Sequence, residues 1–108
     1  MTSILAVTPC ENDLTGFRFV IPSELDRVDA LREQFCGFLY TLGIDPDAVE
    51  TWKLVFSEAL VNAIEHGNQL DPARLVRGAW WVSGTDVVLE LADDGSGPPR
   101  DKLKAPQF

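Results

Sequence analysis

Apolar residues recur along the chain with two different periods. Residues 16–21, Gly-Phe-Arg-Phe-Val-Ile, alternate early and then run apolar, a strand signal ended by Pro22. Ser23 follows as a candidate helix cap. Leu25, Val28, Leu31, Phe35, Phe38, Leu39 and Leu42 then return at intervals of three and four, the spacing of one helical face packed on a sheet. Gly43 stops this helix. Asp45 as N-cap with Pro46 in the first position opens a second, running from about Pro46 to His66 until Gly67 and Asn68 end it. After a polar turn over 68–72, the runs 75–82 and 87–92 flank Ser-Gly-Thr-Asp and read as an antiparallel hairpin. Trp80 and Trp81 point to opposite faces of their strand, so one belongs to the core and the other to an edge or interface. Residues 1–14 form a tail or an added edge strand, and residues 15–108 the domain. The segment after Gly97 contains Pro98, Pro99 and Pro106 and reads as loop. The order strand, helix, helix, strand, strand predicts an α+β sandwich with helices covering one face of the sheet.

Two stretches carry polar groups where a packed element has little use for them. On the second helix, Glu58, Asn62, Glu65 and His66 gather on one side, while Phe56, Ala59, Leu60, Val61, Ala63 and Ile64 cover most of the rest. A helix that apolar is largely buried, and buried carboxylates and amides need partners. The stripe is therefore expected to line a cavity holding a ligand, a metal ion or ordered water. The competing reading is the solvated side of an ordinary amphipathic helix. The second stretch is Asp93-Asp94-Gly95-Ser96-Gly97 at the end of the run 87–92. Gly95 and Gly97 permit close backbone approach to a ligand, and Asp93 stands at the strand end, where binding groups are commonly placed. The competing reading is a plain tight turn.

Composition narrows the class. The 108 residues make one domain with a single core, and 9 basic against 17 acidic residues give a net charge of -8. That balance argues against direct binding of nucleic acid or an anionic membrane and suits a protein partner with a basic patch. Two cysteines without Cys-x-x-Cys spacing and a single histidine argue against a disulfide framework or a structural zinc site. Cys36 reads as a small core residue and Cys10 lies near the chain end. No basic leader precedes the short apolar run at the N-terminus and no apolar run has membrane-spanning length, so a cytoplasmic protein is the expectation.

Taken together and in this order, the two stretches resemble the nucleotide-binding boxes of the GHKL ATPases, the superfamily of histidine-kinase ATPase domains, gyrase B, Hsp90 and MutL. Glu58 and Asn62 match the first box, Glu-x-x-x-Asn; Asp93, Gly95 and Gly97 match the second, Asp-x-Gly-x-Gly. Within the superfamily, Ser-Glu-Ala-Leu-Val-Asn-Ala-Ile-Glu-His-Gly-Asn is most similar to the anti-sigma-factor serine kinases of the RsbW and SpoIIAB type. The resemblance implies the two-layer sandwich of the Bergerat type, with ATP and Mg²⁺ between the second helix and the sheet. Asp93 would accept from the exocyclic amine of adenine, Gly95 and Gly97 would admit the backbone to the base, and Asn62 would give a neutral oxygen to Mg²⁺. Glu58 would act as general base or orient the attacking hydroxyl, and His66 would lie near the phosphates or cap the helix. Glu65 reads as solvated or ion-paired; Arg100, Lys102 and Lys104 could reach phosphates, with solvation the preferred reading.

The implied activity is ATP-dependent serine/threonine phosphorylation of an anti-anti-sigma protein of the STAS type, by a domain that also binds a sigma factor. Relatives continue with a lid, a second glycine-rich box and further strands, so a C-terminally shortened domain is expected. Either the chain is a fragment or its open sheet edge would be completed by a second copy or a partner, with a homodimer the expected form. The alternatives are a non-catalytic module that keeps the fold to hold a partner, and the ATPase domain of a histidine kinase. Against the last, the roughly 15 residues before the first strand leave no room for a dimerising helix pair carrying a substrate histidine, unless that pair sits on a separate chain.

Overall fold

The three- and four-residue apolar spacing is realised as α1 (Val28–Thr41), entered through a 3₁₀ turn at Leu25–Arg27. The computed structural model describes the backbone of residues 6–9, 16–94 and 101–106, with side chains over 16–94. Val28, Leu31, Phe35, Cys36 and Leu39 form the buried face of α1, while Leu25 at its entry is exposed. Burial raises the pKa of the Cys36 thiol and keeps it a small apolar group. The chain leaves α1 through Gly43 at a positive φ of 75°, which a side chain would resist. It enters α2 (Pro46–Asn62) at Asp45, whose carboxylate accepts from the Asp47 N–H at 3.0 Å.

Five antiparallel strands make one sheet in sequence order: β1 (Ala6–Pro9), β2 (Gly16–Pro22), β3 (Leu75–Ser83), β4 (Asp86–Asp93) and β5 (Asp101–Pro106). Period-two alternation puts Phe19 and Ile21 of β2, Val76 and Trp80 of β3, and Val87, Leu89 and Leu91 of β4 in the core. Register keeps them together, with Ile21 opposite Val76 and Trp80 opposite Leu89. Both helices cover this face, which makes the molecule an α+β two-layer sandwich. Aromatic rings form the seam between the layers. Phe35 of α1 stacks on Phe56 of α2 at 4.8 Å, and Trp80 of β3 approaches both, at 5.4 and 6.1 Å. Trp81 takes the opposite face of the sheet and is half-buried there.

Three local expectations are corrected. The segment after Gly97 is not all loop, since β5 pairs with β4 from Asp86 opposite Pro106 to Leu91 opposite Asp101. The signal was the charged-apolar alternation Lys102-Leu103-Lys104-Ala105, which the neighbouring prolines obscured; Pro106 stands at the end of the strand, where a missing N–H is tolerated. Ser23 does not cap the helix. Its hydroxyl donates to the Arg74 carbonyl at 2.7 Å, and Glu24 takes the cap position without a side-chain bond. The second helix does not run regularly to His66: α2 ends at Asn62 and passes into a wider π-type turn, Ala63–Gly67, closed by the Asn68 N–H bonded to the Ala63 carbonyl at 2.9 Å.

Candidate functional site

The buried face of α2 is narrower than its sequence suggests. Val49, Trp52, Phe56 and Leu60 are buried, with Ala63 and Ile64 following in the π turn, but Ala59 and Val61 are only half-buried. Glu58, Asn62 and His66 are exposed and Glu65 is half-buried. The expectation of buried polar groups is thus corrected: α1 and the sheet leave one side of α2 uncovered, and the carboxylate and amide keep their solvation. What they line is an open groove of about 420 Å³ bordered by Ser57, Glu58, Val61 and Asn62. One turn of helix separates Glu58 from Asn62, so both present to the same groove.

Asp93 reaches this helix from the sheet. It stands opposite Val76 in the β3–β4 register, on the strand positions that face the helices, and is half-buried. Its carboxylate lies directly against Gly67, where a Cβ would overlap its oxygens. The π-type turn contributes to this approach. In a regular helix a residue five positions after Asn62 lies about 140° around the axis; the wider turn reduces the angle per residue and carries Gly67 back toward the side of Asn62. Glu58, Asn62 and the Gly67–Asp93 contact therefore succeed one another along α2 and its π-type extension. His66 borders the contact as an exposed neighbour of Gly67. Gly95 and Gly97 lie outside the described residues, as do the side chains of Arg100, Lys102 and Lys104.

Sequence reasoning missed Asn68, reading it only as a helix stop. It is fully buried, and its amide donates to the Ser23 hydroxyl at 2.8 Å and the Leu75 carbonyl at 3.0 Å while its oxygen accepts from the Asp94 N–H at 2.8 Å. No local signal identifies it, because an asparagine after a helix-ending glycine reads equally as a turn former and its partners come from distant parts of the chain. Asp94 points the other way from Asp93. Its carboxylate accepts from the Leu75 N–H and from the Arg77 guanidinium, both at 2.8 Å. The Leu75 N–H first, and then Arg77, hold its pKa below the ordinary carboxylate value.

A depressed folded pKa stabilises the fold above the unfolded pKa, and that contribution disappears as pH falls through the folded value. Thermal unfolding should therefore show wild type ahead of Asp94→Asn at neutral pH. The gap should close as the pH drops below the ordinary aspartate pKa of about 3.9. A gap independent of pH would contradict the assignment.

The donor set fits a magnesium nucleotide. A neutral amide oxygen in an open groove suits a hard ion that retains waters, and a half-buried carboxylate against a glycine suits a hydrogen-bond donor on a flat base. Among the described residues no cluster of three or more His, Cys, Asp or Glu is placed to hold a metal ion. No helix among the described residues is long and apolar enough to cross a membrane. The family model described as the histidine kinase-like ATPase domain matches residues 21–107. No curated protein matches the chain.

Proposed function

The chain belongs to the histidine kinase-like ATPase domain family, and from that premise we propose that it binds Mg²⁺-ATP and acts as an anti-sigma-type serine/threonine protein kinase. The observation that carries the reading is the succession of Glu58, Asn62 and the Gly67–Asp93 contact along α2 and its π-type extension. Asp93 receives the exocyclic amine of adenine. Asn62 offers its side-chain oxygen to Mg²⁺, which when bound offsets phosphate charge. Glu58, a turn further along, takes the proton of a seryl or threonyl hydroxyl as that oxygen forms its bond to the γ-phosphorus and the bond to the ADP oxygen breaks. Gly95 and Gly97 admit the backbone to the base, and His66 stands beside this end of the site.

Two features support a protein as the phosphoryl acceptor. The groove at Glu58 is open, and Leu54, one turn before Glu58 on the same side of α2, is 61% exposed and offers an apolar foothold beside the carboxylate. The acceptor in this reading is an anti-anti-sigma protein of the STAS type, and the second partner a sigma factor, in the cytoplasm. A homodimer is part of the same proposal. The sheet face turned away from the helices carries Val20, Ala79, Trp81 and Ala92 together with the charged Arg18, Arg77 and Glu90 around a shallow groove of about 480 Å³, and this mixed face is the one proposed to receive the second copy.

The test uses Glu58→Ala. With Mg²⁺-ATP and a STAS-type acceptor, wild type should add one phosphate to an acceptor serine or threonine, read by mass spectrometry. The variant should bind ATP with unchanged affinity and transfer phosphate about 10²–10⁴-fold more slowly. ATP binding without transfer by wild type, with partner capture indifferent to Glu58→Ala, would overturn the kinase reading in favour of a binding module.

A further inference from the structure

We infer that Asn68 is a positioning residue for base recognition: it fixes the peptide joining Asp93 to Asp94 so that the Asp93 carboxylate is held against Gly67 and directed at the exocyclic amine of adenine. The inference rests on the nucleotide reading above and adds to it the device that sets the geometry of its base-reading group.

The side chain of Asn68 uses its two donors and its acceptor on three different segments. The donors hold the end of β2 through Ser23 and the start of β3 through the Leu75 carbonyl; the acceptor holds the end of β4 through the Asp94 N–H. With no exposed surface, it has no water to substitute for any of these bonds. An aspartate lacks the donors, a serine lacks the reach, and an apolar residue takes these partners from the part-buried Asp94 N–H and Leu75 carbonyl.

The Asp93–Asp94 peptide is thereby gripped from two sides. Asn68 takes the Asp94 N–H, while the Asp94 carboxylate is drawn the opposite way by the Leu75 N–H and Arg77. Strand alternation then sends Asp93 toward α2, where Gly67, the residue directly before Asn68, leaves room for its carboxylate. The helix end that receives Asp93 and the bond that orients it are thus adjacent in sequence. The knot also closes the connection between the layers, in which Gln69 and Leu70 adopt left-handed φ values of 55° and 59° that non-glycine residues rarely hold unless anchored.

Competition binding of ATP against inosine triphosphate, which carries an oxygen in place of the exocyclic amine, tests the assignment on wild type, Asn68→Ala and Ser23→Ala. Wild type should prefer ATP. Ser23→Ala, which removes one anchor of the knot but leaves the bond to Asp94, should unfold at lower temperature and keep that preference. Asn68→Ala should lose at least tenfold of it. Full preference in folded Asn68→Ala would overturn the inference.

If that variant does not fold, hydrogen exchange of the Asp94 amide in nucleotide-free wild type decides. Protection comparable to the interior of β4 is expected, and exchange as fast as an exposed loop would overturn the clamp. The same exchange reading applies if wild type binds neither nucleotide, an outcome that removes the nucleotide proposal while still testing the grip on Asp94.

Discussion

Asp93→Asn is expected to weaken Mg²⁺-ATP binding by about 10–150-fold, the 1.5–3 kcal/mol carried by a hydrogen bond to a charged group. The substitution changes almost no volume, so the contact with Gly67 survives. What changes is the chemistry at the carboxylate: one acceptor oxygen becomes a donor that opposes the adenine amine. Calorimetry on the folded variant should show the loss in affinity. Wild-type affinity in the variant would mean that Asp93 does not read the base.

Phe56→Ala should have the largest effect on stability. Phe56 is fully buried, stacks on Phe35, and meets Trp80 and Phe19 at centroid distances of 6.1 and 6.4 Å. Removing its ring should destabilise by about 3–5 kcal/mol, a large part of the total for a domain of this size. Urea unfolding should show the midpoint falling with the slope unchanged; a loss below about 1 kcal/mol would show that the two layers are not joined through this residue. The position also links stability to the site. Phe56 lies two residues before Glu58, so the ring that seats α2 on the sheet also fixes which side of the helix carries Glu58 and Asn62 to the groove.

The legible parts of the fold were those written in local periodicity. The apolar spacing of α1, the Asp45-Pro46 entry to α2 and the hairpin of β3 and β4 all stand where the sequence places them. Glu58 and Asn62 were legible as a pair because a four-residue interval on a helix puts two groups on one side whatever surrounds it. Their exposure was not, since it depends on how much of α2 the other layer covers. The π-type turn, the seating of Asp93 on Gly67 and the three bonds of Asn68 were equally hidden. The turn is a local departure that apolar spacing does not mark, while the Gly67–Asp93 contact and the bonds of Asn68 to Ser23 and Asp94 join residues far apart in the chain, and a periodicity carries no record of which distant groups it meets. Strand β5 differs in kind: its alternation was present in Lys102-Leu103-Lys104-Ala105, and only the edge of β4 turns so short a pattern into a strand.

The central claim is spatial: Glu58, Asn62 and Asp93 serve one nucleotide. A crystal structure with a non-hydrolysable ATP analogue and Mg²⁺ tests it most directly. The base amine should lie within hydrogen-bond distance of the Asp93 carboxylate, with Mg²⁺ on the Asn62 oxygen and the γ-phosphate toward Glu58. An analogue seated elsewhere, or bound with its base away from Asp93 and its metal away from Asn62, would contradict the account.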